Sequence, residues 1–431
     1  MHIQTKKFLY EKYQITEQVI DFVTDAEHKA VASFENILDI SQHNQAKVLF
    51  AFQAEGVAQR HFAPTTGYGY DDIGRDTLER VFSRVFGTKD ALVRPQLASG
   101  THAISLALFG LLQPTEEMLC VTGKPYDTLE QAIGIGSNTW GSLKSLGISY
   151  EQVELLSDGS IDIRGAIAKI KPNTKIVYLQ RSRGYAWRRA LSIDMMREAI
   201  AAIKHVRPDI LIVVDNCYGE FTAPDEPTNV GADVIAGSLI KNPGGGLAPT
   251  GGYIAGSKEA IEHIANRMTS PGIGREVGSY AASYAPFFQG LFIAPHIVAE
   301  SLKGATLGAA VFEKLGFDVL PNSSEKRGDI IQSIRFRDEK LLIAFCQSIQ
   351  KASPVDSFAA PYPWDMPGYQ HRIIMAAGTF VQGASIELSA DAPIKEPYIA
   401  YMQGGLTYEH VKLALMCAIR DMINAGAVYI K

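Results

Sequence analysis

Apolar positions recur with a helical period near both ends of the chain. Near the N-terminus they predict an amphipathic helix, because a period of about 3.6 residues places them on one face: Val19, Phe22, Val23, Ala26, Ala30 and Val31. The same pattern predicts a final helix from Tyr408 to Asn424. We therefore expect helical segments at both ends of a folded body.

The middle of the chain carries short apolar runs that alternate with helical segments. The predicted strands are Glu117–Thr122, Ile148–Leu155, Thr174–Gln180, Ile210–Asp215, Ala232–Ser238 and Gly251–Gly256. Repeated β-α-β units of this kind predict an α/β fold with a mainly parallel sheet and helices on both faces. Ligands of such sheets bind at the carboxyl ends of the strands. Asp215 is predicted at one such end, and Ser99 and Lys241 lie just past others.

The pattern changes after a long apolar helix predicted from Leu291 to about Leu315. Beyond it, strand-like runs at Ile330–Phe336 and Ala384–Ser389 mix with helical segments, which indicates a smaller α+β domain with an antiparallel sheet.

A chain of 431 residues is too long for one ordinary hydrophobic core, so we expect more than one domain. The predicted parts are an N-terminal helical arm (1–50), a large α/β domain (51–290) and a C-terminal α+β domain (291–431).

Composition and charge narrow the class of partner. A formal net charge of −5 argues against nucleic acid, and the short basic runs favour an anionic small molecule. The four cysteines are far apart, which indicates neither a zinc site nor a disulfide framework, and no metal site is expected. The sequence lacks an apolar signal core and a membrane-spanning stretch, so we expect a cytoplasmic protein that does not bind membranes.

Lys241 stands between an apolar run and a glycine cluster. Burial disfavours an ammonium ion, so we expect a lowered pKa and a nucleophilic amine that can form a Schiff base with an aldehyde cofactor. By itself, a lysine before Asn-Pro-Gly is more often a surface residue. Asp215 changes this balance, because an acid at a strand end can keep a pyridine nitrogen protonated.

Ser99-Gly100-Thr101 precedes an apolar segment that is predicted to be a buried helix. A helix N-terminus with two hydroxyls can hold a phosphate, although a serine there can also be a simple N-cap. Ser238 is a second candidate for the phosphate, and Tyr126 is either a stacking ring or a packing residue. Together with the lysine and the acid, these residues indicate pyridoxal 5'-phosphate.

At these residues the chain resembles the pyridoxal-phosphate enzymes of the aspartate-aminotransferase fold. It is most similar to the cysteine and methionine metabolism lyases (cystathionine lyases and methionine gamma-lyase), in a bacterial branch labelled aluminium resistance. The resemblance implies fold type I with a mainly parallel seven-stranded sheet. It also implies that Lys241 forms the Schiff base, Asp215 binds the ring nitrogen, and Tyr126 stacks on the ring and acts in proton transfer; the phosphate ligands would be Ser99, Gly100, Thr101 and Ser238.

The resemblance extends to the loop at Tyr68 and Tyr70. Tyr68 matches a tyrosine that reaches the cofactor phosphate of a neighbouring subunit, and Tyr70 stands where the lyases have an arginine. A homodimer or homotetramer with shared active sites is therefore implied. Arg372 is the candidate for the substrate carboxylate, with Arg183 and Arg275 as alternatives.

One departure from the lyases follows Lys241, where Asn-Pro-Gly-Gly-Gly replaces the aromatic residue, glycine and histidine of the family. The implied activity is β- or γ-elimination from a small sulfur-containing amino acid. An aldolase, an aminotransferase, a transsulfuration enzyme and a non-catalytic cofactor-binding stress-tolerance protein stay open as alternatives, as does the natural substrate.

Overall fold

The computed structural model describes residues 1–136, 139–366 and 369–430. Its helices are α1 (Ile3–Tyr13), α2 (Glu17–Lys29), α3 (Val31–Ala54), α4 (Ile73–Val85), α5 (Gly100–Leu111), α6 (Asp127–Ile133), α7 (Ile163–Lys169), α8 (Ile193–Val206), α9 (Lys258–Met268), α10 (Ala285–Lys314), α11 (Glu339–Lys351) and α12 (Tyr408–Asn424). Short 3-10 turns lie at Gln59–Phe62, Lys144–Leu146, Pro227–Val230 and Asn242–Gly244.

The strands form two separate sheets. They are β1 (Asp90–Arg94), β2 (Glu117–Cys120), β3 (Ser149–Gln152), β4 (Thr174–Gln180), β5 (Leu211–Asp215), β6 (Val234–Ser238), β7 (Gly252–Gly256), β8 (Asp318–Leu320), β9 (Ile331–Arg335), β10 (Ile373–Ala376), β11 (Ser389–Pro393) and β12 (Ile399–Gln403).

The larger sheet has seven strands in the order β1-β7-β6-β5-β4-β2-β3. Strands β2 to β6 pair in parallel, while β7 pairs antiparallel with β6 and with β1. This confirms the mainly parallel seven-stranded α/β sheet. In the register, Asp215 pairs with Gln180 of β4 and with Ala236 of β6, so the carboxyl ends of these three central strands lie side by side.

Helix α5 shows why the sequence builds this layer. It packs against β6, β7 and α9, and its apolar residues Ala103, Ile104, Ala107 and Leu108 are buried. Ser99 is the N-cap of α5, and its hydroxyl accepts the N–H of His102 at 3.1 Å. The helix therefore begins at the edge where the strands end.

The smaller sheet has five antiparallel strands in the order β10-β11-β12-β9-β8. The prediction of a strand at Ala384–Ser389 is wrong, because β11 begins only at Ser389. Residues before it form turns, in which the Glu387 carboxylate accepts the N–H groups of Phe380 and Val381. The alternating polar residue thus serves as a buried loop acceptor and does not mark an exposed strand face.

The chain folds into two compact units. One comprises residues 1–41, 185–187 and 296–431, and the other comprises 42–184 and 188–295. The seven-stranded sheet lies in the second unit, and the five-stranded sheet lies in the first. Among the described residues, the helices are all too short or too polar to cross a membrane.

Candidate active site

Three chain segments meet at the carboxyl edge of the seven-stranded sheet. Asp215 ends β5, Ser238 ends β6, and Gly100 opens α5. A Cβ atom placed on Gly100 would lie 3.2 Å from the Cβ of Ser238 and 3.4 Å from the Sγ of Cys217. The helix N-terminus, the serine and the segment after the acid are therefore in contact, and all of them belong to one compact unit.

Lys241 lies three residues beyond Ser238, in the turn that follows β6. It is half-buried, and its Nζ lies 3.9 Å from the centre of the Tyr218 ring. Burial alone would lower the pKa of this amine, but Cys217, Tyr218 and Asp215 raise it well above its ordinary value. The expectation of a lowered pKa for Lys241 was therefore wrong, because the groups around the amine outweigh desolvation.

Asp215 is buried, and its Oδ1 accepts the N–H of Cys217 at 3.0 Å. Burial raises the pKa of this carboxyl, while the positive charge of Lys241 acts in the opposite direction. The lysine and the acid, which are far apart in sequence, therefore each affect the pKa of the other.

The N-terminus of α5 has the features of an anion cradle. The first N–H groups of a helix have no partner within the helix, and the helix dipole favours a negative charge there. The close approach of Ser238 leaves no room for a side chain at Gly100 without movement. Thr101 adds a hydroxyl, which accepts a hydrogen bond from the Tyr126 hydroxyl at 3.1 Å.

Tyr126 connects this cradle to the sheet. Its backbone N–H donates to the Gln180 side chain, at the end of β4, at 2.9 Å. Burial raises the pKa of the phenol well above its ordinary value, so the hydroxyl keeps its proton at neutral pH. The site thus joins a phenol donor, an amine, a buried acid and a helix N-terminus, and this donor set fits pyridoxal phosphate.

The two loop tyrosines lie elsewhere on the surface of the same unit. The side chains of Tyr68 and Tyr70 are 71% and 61% exposed, with ring centres 5.4 Å apart. Buried Arg75 holds their loop by donating to the Gly69 carbonyl at 2.9 Å. Their exposure in a single chain leaves both hydroxyls available to another molecule.

The candidate arginines have different surroundings. Arg372 is exposed and directly precedes β10 in the unit with the five-stranded sheet, whereas Arg183 is buried in the unit with the seven-stranded sheet. Arg275 forms ion pairs with Glu79 and Asp90, so its guanidinium is already bound by two carboxylates of the protein.

Sequence reasoning missed a group of buried polar residues beside the lysine and the acid. Its members are Arg181, Asn216, Glu220, Glu226, Asn242 and Tyr253. Only Asn216 and Asn242 were visible as direct neighbours of Asp215 and Lys241 in the sequence. The other four residues carry no comparable signal in the sequence.

The cysteines and the possible metal ligands among the described residues form no second centre. All four cysteines are buried free thiols. Within the described parts of the chain, no group of three or more histidine, cysteine, aspartate or glutamate side chains could hold a metal ion.

The sheet order and the lysine–acid pair at its carboxyl edge define the class of protein. The chain has fold type I of the pyridoxal-phosphate-dependent enzymes, as expected. The pyridoxal-5'-phosphate-dependent protein YhfS from Escherichia coli shares this fold with a TM-score of 0.60 at 15% identity, and the match covers 90% of this chain and 97% of that one.

Within that class, the chain belongs to the methionine gamma-lyase family, which it matches over residues 19–423. It is 51% identical to a carbon-sulfur lyase involved in aluminum resistance from Clostridium novyi NT, with a TM-score of 0.94, covering 98% of this chain and 100% of that one. It is also 54% identical to the uncharacterized protein YnbB of Bacillus subtilis (strain 168), over 90% of this chain and 93% of that protein. The resemblance drawn from the sequence is confirmed, and the lyase names imply an enzyme.

Proposed function

We propose that the chain is a pyridoxal-phosphate-dependent carbon–sulfur lyase that acts on a sulfur-containing amino acid by β- or γ-elimination. Family membership and the carbon-sulfur lyase from Clostridium novyi support the reaction type. The observation that carries the proposal is the meeting of Asp215, Ser238 and the N-terminus of α5 at one edge of the sheet, with Lys241 three residues beyond Ser238.

Each group has a place in this proposal. The α5 N-terminus, with Ser99, Gly100, Thr101 and Ser238, would hold the phosphate. Asp215 would hold a proton on the ring nitrogen, and the amine of Lys241 would bond to the aldehyde carbon. Pyridoxal phosphate supplies, when bound, an aldehyde for amines and a ring that withdraws electrons from the substrate.

The chain's own residues also move the protons. After the substrate amine displaces it, the neutral amine of Lys241 can accept the α-proton. The Tyr126 phenol keeps its own proton at neutral pH and can donate it to the departing sulfur. For the substrate carboxylate we propose Arg372 or Arg183, since Arg275 is held by two carboxylates.

The experiment that tests this function is Lys241→Ala. Purified wild-type protein should show the absorbance of a lysine-bound cofactor and release a thiol from methionine or cystathionine, or hydrogen sulfide from cysteine. The variant should lose that absorbance and at least about a thousandfold of turnover, because the amine is both attachment point and base. Lys258→Ala, at an exposed lysine that begins α9, is the control and should change neither.

The products decide between this function and its alternatives. A keto acid together with a thiol and ammonia supports elimination, whereas a keto acid with amino transfer and no thiol indicates an aminotransferase. Cofactor absorbance with no product from any amino acid tested would refute a catalytic role. Full thiol release by Lys241→Ala would refute the role of the lysine.

A further inference from the structure

The side chain of Glu220 lies buried five residues beyond Asp215 on the same loop. Its Oε1 accepts a hydrogen bond from the Tyr253 hydroxyl at 2.8 Å. Its Oε2 is buried with no hydrogen-bond partner among the residues that the structure describes. Since a buried carboxylate is costly unless it is paired, an acid in this setting calls for an explanation.

One side of this pair leads to Asp215. The Tyr253 hydroxyl also accepts from the Asn216 side chain at 3.4 Å. Asn216 directly follows Asp215, and it is held further by Glu226 at 3.0 Å and by Arg181 at 2.8 Å. All these side chains are buried, so the backbone that carries the Asp215 carboxyl is fixed from behind.

The other side leads to Lys241. Asn242 directly follows the lysine, is fully buried, and donates from its side chain to the Glu220 carbonyl at 3.0 Å. This residue stands where the chain departs from the familiar lyases. The departure therefore has a structural role, because it ties the lysine turn to the loop that follows the acid.

The sheet makes room for the pair. Gly237 lies on β6 just before Ser238, and a Cβ atom there would lie 2.6 Å from the Tyr253 ring and 2.8 Å from the Glu220 Oε1. Any larger residue at position 237 would displace both groups. The strand that leads to the lysine is thus shaped around Glu220 and Tyr253.

We propose that Glu220 and Tyr253 form a positioning pair that holds the backbone of Asp215 and of Lys241 in register, through Asn216 and Asn242. The proposal rests on the proposed function and adds a role for residues that do not touch the cofactor. Groups that orient reacting side chains from behind commonly decide whether a site is held tightly enough to work.

Burial favours a neutral Glu220. Burial, with like charge from Glu226, raises the pKa of Glu220 to about 8, while Tyr253 and Lys241 act in the opposite direction. The charged or titratable groups facing the pair are Glu226, Lys241, Cys217 and, through Asn216, Arg181. A neutral carboxyl accepts from Tyr253 as well as a glutamine amide would, so Glu220→Gln is the conservative variant.

The first test measures cofactor retention. Glu220→Ala and Tyr253→Phe should weaken pyridoxal phosphate binding about tenfold, the lower end for groups that orient ligating residues from behind, and should shift the pH midpoint of the lysine-bound absorbance. Glu220→Gln should stay within about twofold of wild type, because its amide oxygen still accepts the Tyr253 hydrogen bond. The matched control is Glu117→Ala, at an equally buried acid that pairs with Lys171 at the opposite end of the sheet.

The second test needs no cofactor. In the folded protein Glu220 keeps its proton up to about pH 8, whereas the unfolded chain releases it near the ordinary 4.5. The contribution of Glu220 to wild-type stability therefore falls as the pH rises through this interval. The melting temperature of Glu220→Gln relative to wild type should accordingly be higher at pH 8 than at pH 5.5.

The outcomes separate this inference from the proposed function. If Glu220→Ala lowers the melting temperature as Glu117→Ala does but leaves cofactor affinity and the pH midpoint unchanged, Glu220 is merely structural and the inference is overturned. If the difference in melting temperature between Glu220→Gln and wild type does not change with pH, the inference that Glu220 is neutral is overturned. Wild-type protein without lysine-bound absorbance would overturn the proposed function, and the positioning role with it.

Discussion

Two electrostatic effects oppose each other at Lys241. Desolvation favours the neutral amine, and the acidic groups around it favour the ammonium. The second effect prevails, so the pKa of the Lys241 amine is raised and the ammonium form is favoured. Attachment of a carbonyl cofactor must then wait for the loss of that proton.

The rate of covalent loading should therefore depend on pH. Between pH 7 and 9 we expect the loading rate of Lys241 with pyridoxal phosphate to rise about tenfold per pH unit, since the neutral fraction grows in that proportion below the pKa. Borohydride trapping followed by mass spectrometry of the Lys241 peptide measures this rate.

Asp215→Asn provides the matched comparison for the loading rate. Removal of the carboxylate lowers the pKa of Lys241, so the pH profile should move toward lower pH even though cofactor binding is weaker. A loading rate that is flat from pH 7 to 9 in wild type would contradict a raised pKa of the amine.

At the scale of the element, α5 combines two roles at its first turn. Its apolar residues secure it against the sheet, while Ser99 caps the end that faces Ser238 and Cys217. Other helices of this protein carry such a cap, including α9, where Ser257 accepts the N–H of Ala260 at 3.2 Å. The cap alone therefore does not mark a phosphate site.

A pair of cap variants separates the two roles. Ser99→Ala and Ser257→Ala should each lower the free energy of unfolding by about 1 kcal/mol, the usual contribution of a serine cap. Only Ser99→Ala should also weaken binding of pyridoxal phosphate, because Ser99 directly precedes Gly100, which lies against Ser238. Equal cofactor affinity in both variants, measured by equilibrium dialysis, would exclude Ser99 from the phosphate site.

At the scale of the whole molecule, the two loop tyrosines bear on how many chains are needed to build one active site. The exposed Tyr68 and Tyr70 rings are held in place by a loop that buried Arg75 stabilises. We propose that they serve the site of a second copy, so that the active unit is at least a homodimer.

Mixed subunits test this assembly. Lys241→Ala and Tyr68→Ala subunits, inactive or impaired alone, should regain about a quarter of wild-type activity when co-expressed in equal amounts, because half of the dimers then hold one intact site of two. Differently tagged subunits allow the hybrid to be purified and its thiol release to be assayed. A hybrid no more active than the separate variants, or a fully active monomer in gel filtration, would refute the shared site.

Much of this protein is determined by local sequence alone. The alternation of apolar runs with amphipathic helices predicted β4 at Thr174–Gln180 and α12 at Tyr408–Asn424 with the bounds observed. The N-cap at Ser99 and the acid at the end of β5 also follow from neighbouring residues. These features depend on periodicity and capping, which act over one or two turns of chain.

Other features were decided only by the tertiary structure. The hydrogen bond from Tyr253 to Glu220, the tie from Asn242 to the Glu220 carbonyl and the raised pKa of Lys241 each join groups that are distant in sequence. Distances of this kind exist only once the sheet has aligned its strands, and electrostatic and hydrogen-bond energies depend on those distances. The sequence alone therefore predicts which residues carry the chemistry, while the fold determines which of them hold their protons and what keeps them in place.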